Sequence, residues 1–344
     1  MQELLRLNLL SPLVLAFVLG IVARRIRSDL SLPKDIYQGI AIYLLFAIGM
    51  KGGVELSHTP LATIAGPAAM ALLLGLITPV SAFLVLRRIG RFSVTDAAAI
   101  AAHYGSVSAV TFIAAQEFVR RAGSPAEGYM PALLTILEIP GIAVALAIGT
   151  LLSSSAVREA GARDGQVRGG VYAMDAATLP AGSRSEALRE VLTGKTFVLM
   201  VGGLLIGLLM GKPGWTQVQP FFETGFKGAL CLFLLEMGVV AGARLGDLRR
   251  VGPFLVGFGV LLPLLHGALG VVLAHWAGMS VGGCTVLGTM AASASYIAAP
   301  PAVRTALPSA NPTLYLTSAL GITFPFNLVF GIPIYFGLAR MIAG

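Results

Sequence analysis

Charge is scarce in this chain. Asp, Glu, Lys and Arg make up 12% of its 344 residues, where a soluble domain carries roughly a quarter. So few charges cannot cover a water-exposed surface when 56% of the residues are hydrophobic, and the soluble classes drop out. Cysteine is nearly absent: Cys231 and Cys284 are the two, each inside an apolar run. They read as buried thiols, and neither a disulfide framework nor a metal site follows from them. A catalytic triad, a metal-ligand cluster and a phosphate-binding loop are missing too, so an enzyme and a bound cofactor have no residues to rest on. The net charge of +8 would point a soluble protein toward nucleic acid. Here the basic residues sit between apolar runs, which ties them to membrane topology and excludes that partner.

Apolar sequence in long runs is abundant. Ten runs occur, over residues 8–23, 36–54, 61–86, 94–119, 130–153, 196–211, 221–243, 251–277, 281–299 and 312–341. Most approach the ~20 residues that a spanning helix needs, which predicts an all-α integral membrane protein with ten transmembrane helices. The 42 glycines agree, because Gly is commoner in membrane helices than in soluble ones. The first and sixth runs are short, and Pro325 and Pro333 mark kinks in the last. Ser93 with Asp96, Ser124-Pro125 with Glu127, and Asn311-Pro312 supply helix-start signals. Arg24, Arg25 and Arg27 follow the first run where a signal peptide would be cleaved, so that run reads as a retained helix.

Lys and Arg set the orientation. Assigning the inter-helix segments alternately to two sides puts 17 basic residues on one side and 7 on the other. The positive-inside rule places the 17 in the cytoplasm, with both termini outside. Residues 154–195 form the one sizeable hydrophilic segment. It reads as a flexible cytoplasmic linker or as a docking site for a soluble regulator, with Tyr172-Ala-Met-Asp175 as its candidate anchor.

The chain also repeats itself. Phe46-Ala-Ile-Gly-Met-Lys-Gly-Gly-Val-Glu-Leu56 echoes Leu235-Glu-Met-Gly-Val-Val-Ala-Gly-Ala-Arg-Leu245, and Ala101-Ala102 maps onto Ala291-Ala292 at almost the same offset. Residues 1–153 and 196–344 are then two copies joined by the 154–195 linker. Five spans per copy is an odd number, so the second copy enters the membrane from the opposite side. Such inverted repeats belong to secondary transporters, with the site near the midplane.

Equivalent spans, the fourth and ninth, carry unusual residues at mid-depth. Ala101-Ala-His-Tyr-Gly-Ser-Val-Ser-Ala-Val-Thr111 and Met290-Ala-Ala-Ser-Ala-Ser-Tyr-Ile-Ala-Ala-Pro-Pro301 are small and hydroxylated where a lipid-facing helix would be branched and apolar. Pro300-Pro301 cannot continue a helix. Two broken helices meeting at mid-membrane aim half-helix N-termini at one point, which suits a small anion, while unwound carbonyls suit a cation such as sodium. Glu138, inside the fifth span before Pro140, is either a cation ligand or proton carrier, or a hydrogen-bonding partner for the carbonyls that Pro140 frees. His103 is either a satisfied core histidine or a proton-coupling group. Glu236 in the seventh span offers the same choice as Glu138, with structure the favoured reading, and His266, after Pro263, reads as a local hydrogen-bonding residue.

At these residues the chain resembles the cyanobacterial sodium-dependent bicarbonate symporters and their bacterial relatives. The resemblance rests on Leu264-Leu-His-Gly267, Ala291-Ala-Ser293, Pro300-Pro301 through Leu307-Pro-Ser-Ala-Asn-Pro312, Ala241-Gly-Ala-Arg-Leu-Gly-Asp-Leu-Arg249 and Gly331-Ile-Pro-Ile-Tyr335. It implies ten helices in two inverted five-helix repeats with broken, crossing fourth and ninth helices. It also implies a homotrimer and, in the cyanobacterial members, a cytoplasmic PII-like regulator. Gly105, Ser106, Ser108 and Thr111 match the substrate loop of the fourth span, and Ser293 and Ser295 match its ninth-span counterpart. Tyr296 stands where the cyanobacterial symporters carry an acid, Ala298-Ala299 where they carry Ser-Gly, and Glu138 where they carry Asp. The expectation is Na+-coupled uptake of a small anion, bicarbonate first. Gly105, Ser106, Ser108, Thr111, Ser293, Ser295 and Tyr296 would bind it, and Glu138, Ser293 and His103 would couple the cation. The rivals are another small carboxylate or anion, coupling to H+, and a non-transporting membrane sensor or scaffold that binds a regulator.

Overall fold

A computed structural model describes residues 2–163, 189 and 192–344. Tyr172-Ala-Met-Asp175, with the rest of residues 164–188, 190 and 191 of the 154–195 segment, lies outside the described residues. Every regular element among the described residues is helical. In chain order they are α1 (Gln2–Leu9), α2 (Pro12–Arg25), α3 (Lys34–Leu56), α4 (Leu61–Arg88), α5 (Val94–Gly105), α6 (Ala109–Arg121), α7 (Met130–Arg163), α8 (Lys195–Gln219), α9 (Phe226–Arg244), α10 (Leu248–Trp276), α11 (Val281–Ala291), α12 (Ala299–Ala306) and the last span, α13 (Pro312–Ala343). Seven segments are long and apolar enough to cross a bilayer, or eight if α1 and α2, bent by 65°, are one span. One of the seven, Phe226–Trp276, runs to 51 residues, more than twice the length a bilayer requires. It is interrupted by a 3₁₀ turn at Leu245–Asp247 and by Gly252, whose φ of 79° breaks the helical path.

Local chemistry places several ends where the sequence indicates. Ser93 Oγ accepts from the Asp96 N–H, and the Asn311 side chain accepts from the Thr313 N–H ahead of α13. Two starts differ from expectation. The first span begins at Pro12, with Ser11 as its cap. The Ser124-Pro125-Glu127 signal does not start a helix, and α7 begins at Met130. The Glu127 carboxylate accepts instead from the backbone N–H of Ser280, the cap of α11, at 2.6 Å. A tertiary bond has taken the acid that a local cap would have used. The last span bends through π turns at Thr317–Thr323 and Asn327–Gly331, around Pro325 and ahead of Pro333.

Packing interleaves the two ends of the chain. α2 lies along α9, and α3 along α8. Glycine allows the close approach: a Cβ on Gly49 would sit 2.8 Å from the Met200 carbonyl, and one on Gly20 would strike the Leu235 carbonyl. Backbone-to-backbone contact of this kind gives helices in lipid van der Waals packing that larger side chains prevent. Elsewhere α4, α5 and α7 pack on one another, as do α10, α11 and α13. Leu15, Leu19, Leu72, Leu76, Leu205, Leu209, Leu261 and Leu265 are exposed on the outer helices, which forms the apolar belt that lipid requires.

The broken spans are surrounded by protein. All of the apolar window in Val94–Arg121 is buried, against 17% in Lys195–Thr224. Two apolar cores lie beneath. α5 (through Ala97–Ala102, Ile100 and Tyr104) and α12 belong to one, while α6 and α11 belong to the other. Each broken span therefore passes from one core into the other, in opposite chain directions, and its break falls at the boundary.

Candidate functional site

The first break is short. α5 ends at Gly105, Ser106 is extended (φ −103°, ψ 148°), and Ser108 caps α6 by accepting from the Thr111 N–H. Small residues make the break possible. A Cβ on Gly141 of α7 would overlap the Gly105 carbonyl, and a Cβ on Gly105 would press on Pro79 and on the Gly141 carbonyl. Helices α5 and α7 thus touch backbone to backbone where α5 stops.

The second break is longer. α11 ends at Ala291, and α12 begins at Ala299 with Pro300 and Pro301 in its first turn. Proline suits a first turn because its missing N–H has no helical partner there. Ser295 Oγ accepts from the Ala298 N–H at 3.3 Å. The Ala292 carbonyl, released where α11 ends, accepts from Asn327 Nδ2 at 2.7 Å, and Asn327 Oδ1 is held in turn by the Tyr335 hydroxyl.

The two breaks bond to each other. The Ser295 N–H donates to the carbonyls of His103 (2.8 Å) and Ser106 (3.1 Å). The Ser108 N–H donates to Ser293 Oγ at 3.0 Å, and that hydroxyl donates to the Met290 carbonyl. His103 Nδ1 lies 2.6 Å from the Ser295 carbonyl. Gly105, Ser106, Ser108, Thr111, Ser293, Ser295 and Tyr296, the residues singled out from sequence, are therefore brought together, and each is buried. Backbone groups freed by helix breaks would be costly in an apolar interior, and these bonds satisfy several of them.

Some polar atoms here have no partner. His103 Nε2 and Ser106 Oγ are buried with no partner among the described residues, as is Thr317 Oγ1 at the first π turn of α13, while the Tyr296 hydroxyl is buried beside Ser108. A buried donor or acceptor without a partner costs about 1–3 kcal/mol, so orphans clustered at a double helix break point to a ligand. Tyr296 packs edge-on against Phe324. Its phenol supplies one neutral polar atom where an acid would supply charge.

Glu138 is 3% exposed. No hydrogen bond or ion pair to its carboxyl occurs among the described residues, so it does not cap the carbonyls near Pro140. It stands three residues before Gly141, on the same face of α7 and one turn from the contact with Gly105. Glu236 is structural: its carboxylate accepts from the Leu32 N–H at 2.7 Å. His266 Nε2 pairs with Ser81 Oγ.

Sequence reading missed the supports. Asn327 and Tyr335 secure the second break, and the Tyr104 hydroxyl donates to Thr323 Oγ1, which itself donates to the Gly259 carbonyl. A signal existed for Asn327, because an amide at the middle of an apolar span needs a reason.

A cavity of about 720 Å³ lies further along α6, lined by none of the residues at the crossing. It lies between α3, α6, the residues before α7, and the start of α9, and it reaches Ile113 of α6, two residues past Thr111. Lys51 pairs with Glu223 (2.7 Å), and Glu117 pairs with both Arg120 (2.7 Å) and Lys227 (3.4 Å) on its walls.

No individually curated protein matches the chain. The pattern of one family covers residues 12–340. Those 329 residues include both breaks, six of the seven bilayer-length segments in full and the seventh as far as residue 340, and on them the chain belongs to the Na+-dependent bicarbonate transporter superfamily.

Proposed function

We propose that the protein takes up bicarbonate by coupling it to sodium through alternating access, with the anion held where the two broken spans meet. Family membership makes it a multi-pass membrane transporter rather than an enzyme. The observation that carries the finer reading is the reciprocal bonding of the breaks: Ser295 N–H to the His103 and Ser106 carbonyls, and Ser108 N–H to Ser293 Oγ. The N-terminal ends of α6 and α12 begin at this crossing, and aligned peptide dipoles favour an anion there. Gly105, Ser106, Ser108, Thr111, Ser293, Ser295 and Tyr296 are its lining. The carbonyl-rich ends of α5 and α11, with Ser293, suit a sodium ion, and Glu138 is the coupling carboxylate.

The architecture we infer is ten spans in two inverted repeats, residues 1–153 and 196–344, joined by the 154–195 linker. This reading counts Phe226–Trp276 as two spans and α11 with α12 as the ninth. The interleaved packing supports it: exchanging the halves turns the pair α2 and α9 into the pair α8 and α3. The orientation with both termini outside, a homotrimer and a PII-like regulator acting on the linker complete the proposal. In that orientation the 720 Å³ cavity faces outward.

Uptake of radiolabelled bicarbonate into proteoliposomes, with and without a sodium gradient, tests the function. A gradient-driven rise of roughly tenfold or more is expected, and Glu138→Gln should abolish the response to the gradient while sparing equilibrative exchange. Absence of uptake in either condition would leave a sensor or scaffold as the better account.

A further inference from the structure

We propose that His103 recognises the hydroxyl of the transported anion, its Nε2 accepting the O–H of hydrogencarbonate. The proposal rests on the reading of the crossing as the bicarbonate site and adds how that site tells one oxyanion from another. The argument begins with a carbonyl. Ser295 O lies 2.6 Å from His103 Nδ1, and a carbonyl can only accept, so the proton is on Nδ1. In a ring carrying one proton, Nε2 is then a bare lone pair.

Nothing among the described residues uses that lone pair. The His103 ring is fully buried, and Nε2 has no partner. Nor can the ring turn to find one easily. It stacks on Tyr315 with centroids 4.8 Å apart and planes at 24°, while Nδ1 is held at Ser295. The backbone of His103 is part of the crossing as well, since its carbonyl shares the Ser295 N–H with that of Ser106. A fixed, buried, unfilled acceptor on a residue that is itself part of the crossing calls for a ligand with a proton to give. Hydrogencarbonate carries one O–H. Nitrate is planar and monovalent, with the same three-oxygen outline and no hydrogen, so it would leave the acceptor unfilled and set an oxygen against a lone pair. Sites built to hydrogen-bond a ligand hydroxyl reject analogues lacking it more strongly than apolar sites reject changes of size.

Competition between the two anions in proteoliposomes tests this. At mildly alkaline pH, nitrate in about 100-fold excess should leave uptake of radiolabelled bicarbonate by the wild-type protein almost unchanged, the discrimination of two decades that one unfilled buried acceptor can produce. His103→Asn keeps an amide N–H that can reach Ser295 and removes the Nε2 acceptor. It should raise the KM for bicarbonate about tenfold or more with a smaller change in maximal rate, and nitrate should now inhibit near the same concentration. His103→Gln sets an amide oxygen near the Nε2 position and should restore part of the preference. A merely structural role would move both anions together. Nitrate inhibiting the wild type at concentrations comparable to bicarbonate overturns the proposal, as does an unchanged ratio of the two constants in His103→Asn. If His103→Asn does not fold, the wild-type competition decides alone, because a protonated ring would donate to either anion and show no preference. A wild type with no bicarbonate uptake at all would remove the underlying transport reading instead, an outcome distinct from uptake without discrimination.

Discussion

The two breaks do the same job by different means. At the first, one extended stretch of Ser106 to Ser108 separates α5 from α6, and it depends on Gly105 and Gly141 touching backbone to backbone. At the second, seven residues separate α11 from α12, and the gap is secured by side chains: Ser295 on Ala298 N–H, Asn327 on the Ala292 carbonyl, and Tyr335 behind Asn327. The first is therefore a steric construction and the second a hydrogen-bonded one. Added volume should damage the first most, and loss of a polar atom the second.

The largest effect is expected from Gly141→Ala. The new methyl overlaps the Gly105 carbonyl, and overpacking of that kind costs about 1–3 kcal/mol when the neighbour can move. Backbone cannot move readily, so the cost should reach the top of that range, with uptake falling more than tenfold. Thermal unfolding in detergent, read beside uptake, checks it. Gly270→Ala, where α10 meets Gly288 and Ala291 of α11, should be milder. Equal damage from both would erase the contrast between the breaks.

Next comes the pair Ser293→Ala and Ser106→Ala. The first strips the Ser108 N–H of its acceptor and should destabilise by about 1–3 kcal/mol. The second removes a hydroxyl that bonds nothing among the described residues, and its stability should stay within about 0.5 kcal/mol of the parent. Both should lower uptake. A Ser106→Ala protein that transports at the parent rate removes Ser106 from the anion site.

Ser108→Ala and Ser295→Ala compare a helix cap with a hydroxyl that holds the loop ahead of α12. The first should cost about 0.5–2 kcal/mol, the range for losing an N-cap side chain, the second about 1 kcal/mol for one hydrogen bond, and both should reduce uptake severalfold in a folded protein. Parent rates in both variants would mean that the two spans are merely close-packed there.

The smallest change is expected from Tyr296→Asp, which places a carboxylate in the longer break. Sodium prefers hard, charged oxygen, so the sodium concentration for half-maximal uptake should fall by a few-fold. A steep sodium requirement in the parent that neither Tyr296→Asp nor Glu138→Gln alters would assign the cation site to backbone oxygens.

The membrane class and the place of both breaks were legible because they are matters of composition. Long apolar runs have few alternatives to a spanning helix, and Gly-Ser-Val-Ser or Pro-Pro at mid-depth has few reasons to exist in one. Supports drawn from distant chain were not legible. Nothing near Ala292 announces Asn327, and nothing near Ser280 announces Glu127. The signal at Ser124-Pro125-Glu127 was even misleading, because a local pattern records which cap is available and not which bond wins in three dimensions. His103 shows the same limit: its type suggested either a satisfied ring or a proton carrier, whereas one nitrogen is paired and the other is open.

The interleaving of α3 with α8 and α2 with α9 also bears on how the chain is made. α3 is complete at residue 56, and its partner starts at residue 195. At about 5–20 residues per second, synthesis leaves the first helices in the bilayer for on the order of ten seconds before those partners exist. Through that interval Gly20, Gly49 and Gly53 face lipid across grooves that nothing fills. A ribosome that stops between residues 153 and 195 would release a half-protein with those grooves permanently open, a substrate for membrane quality control rather than a smaller transporter.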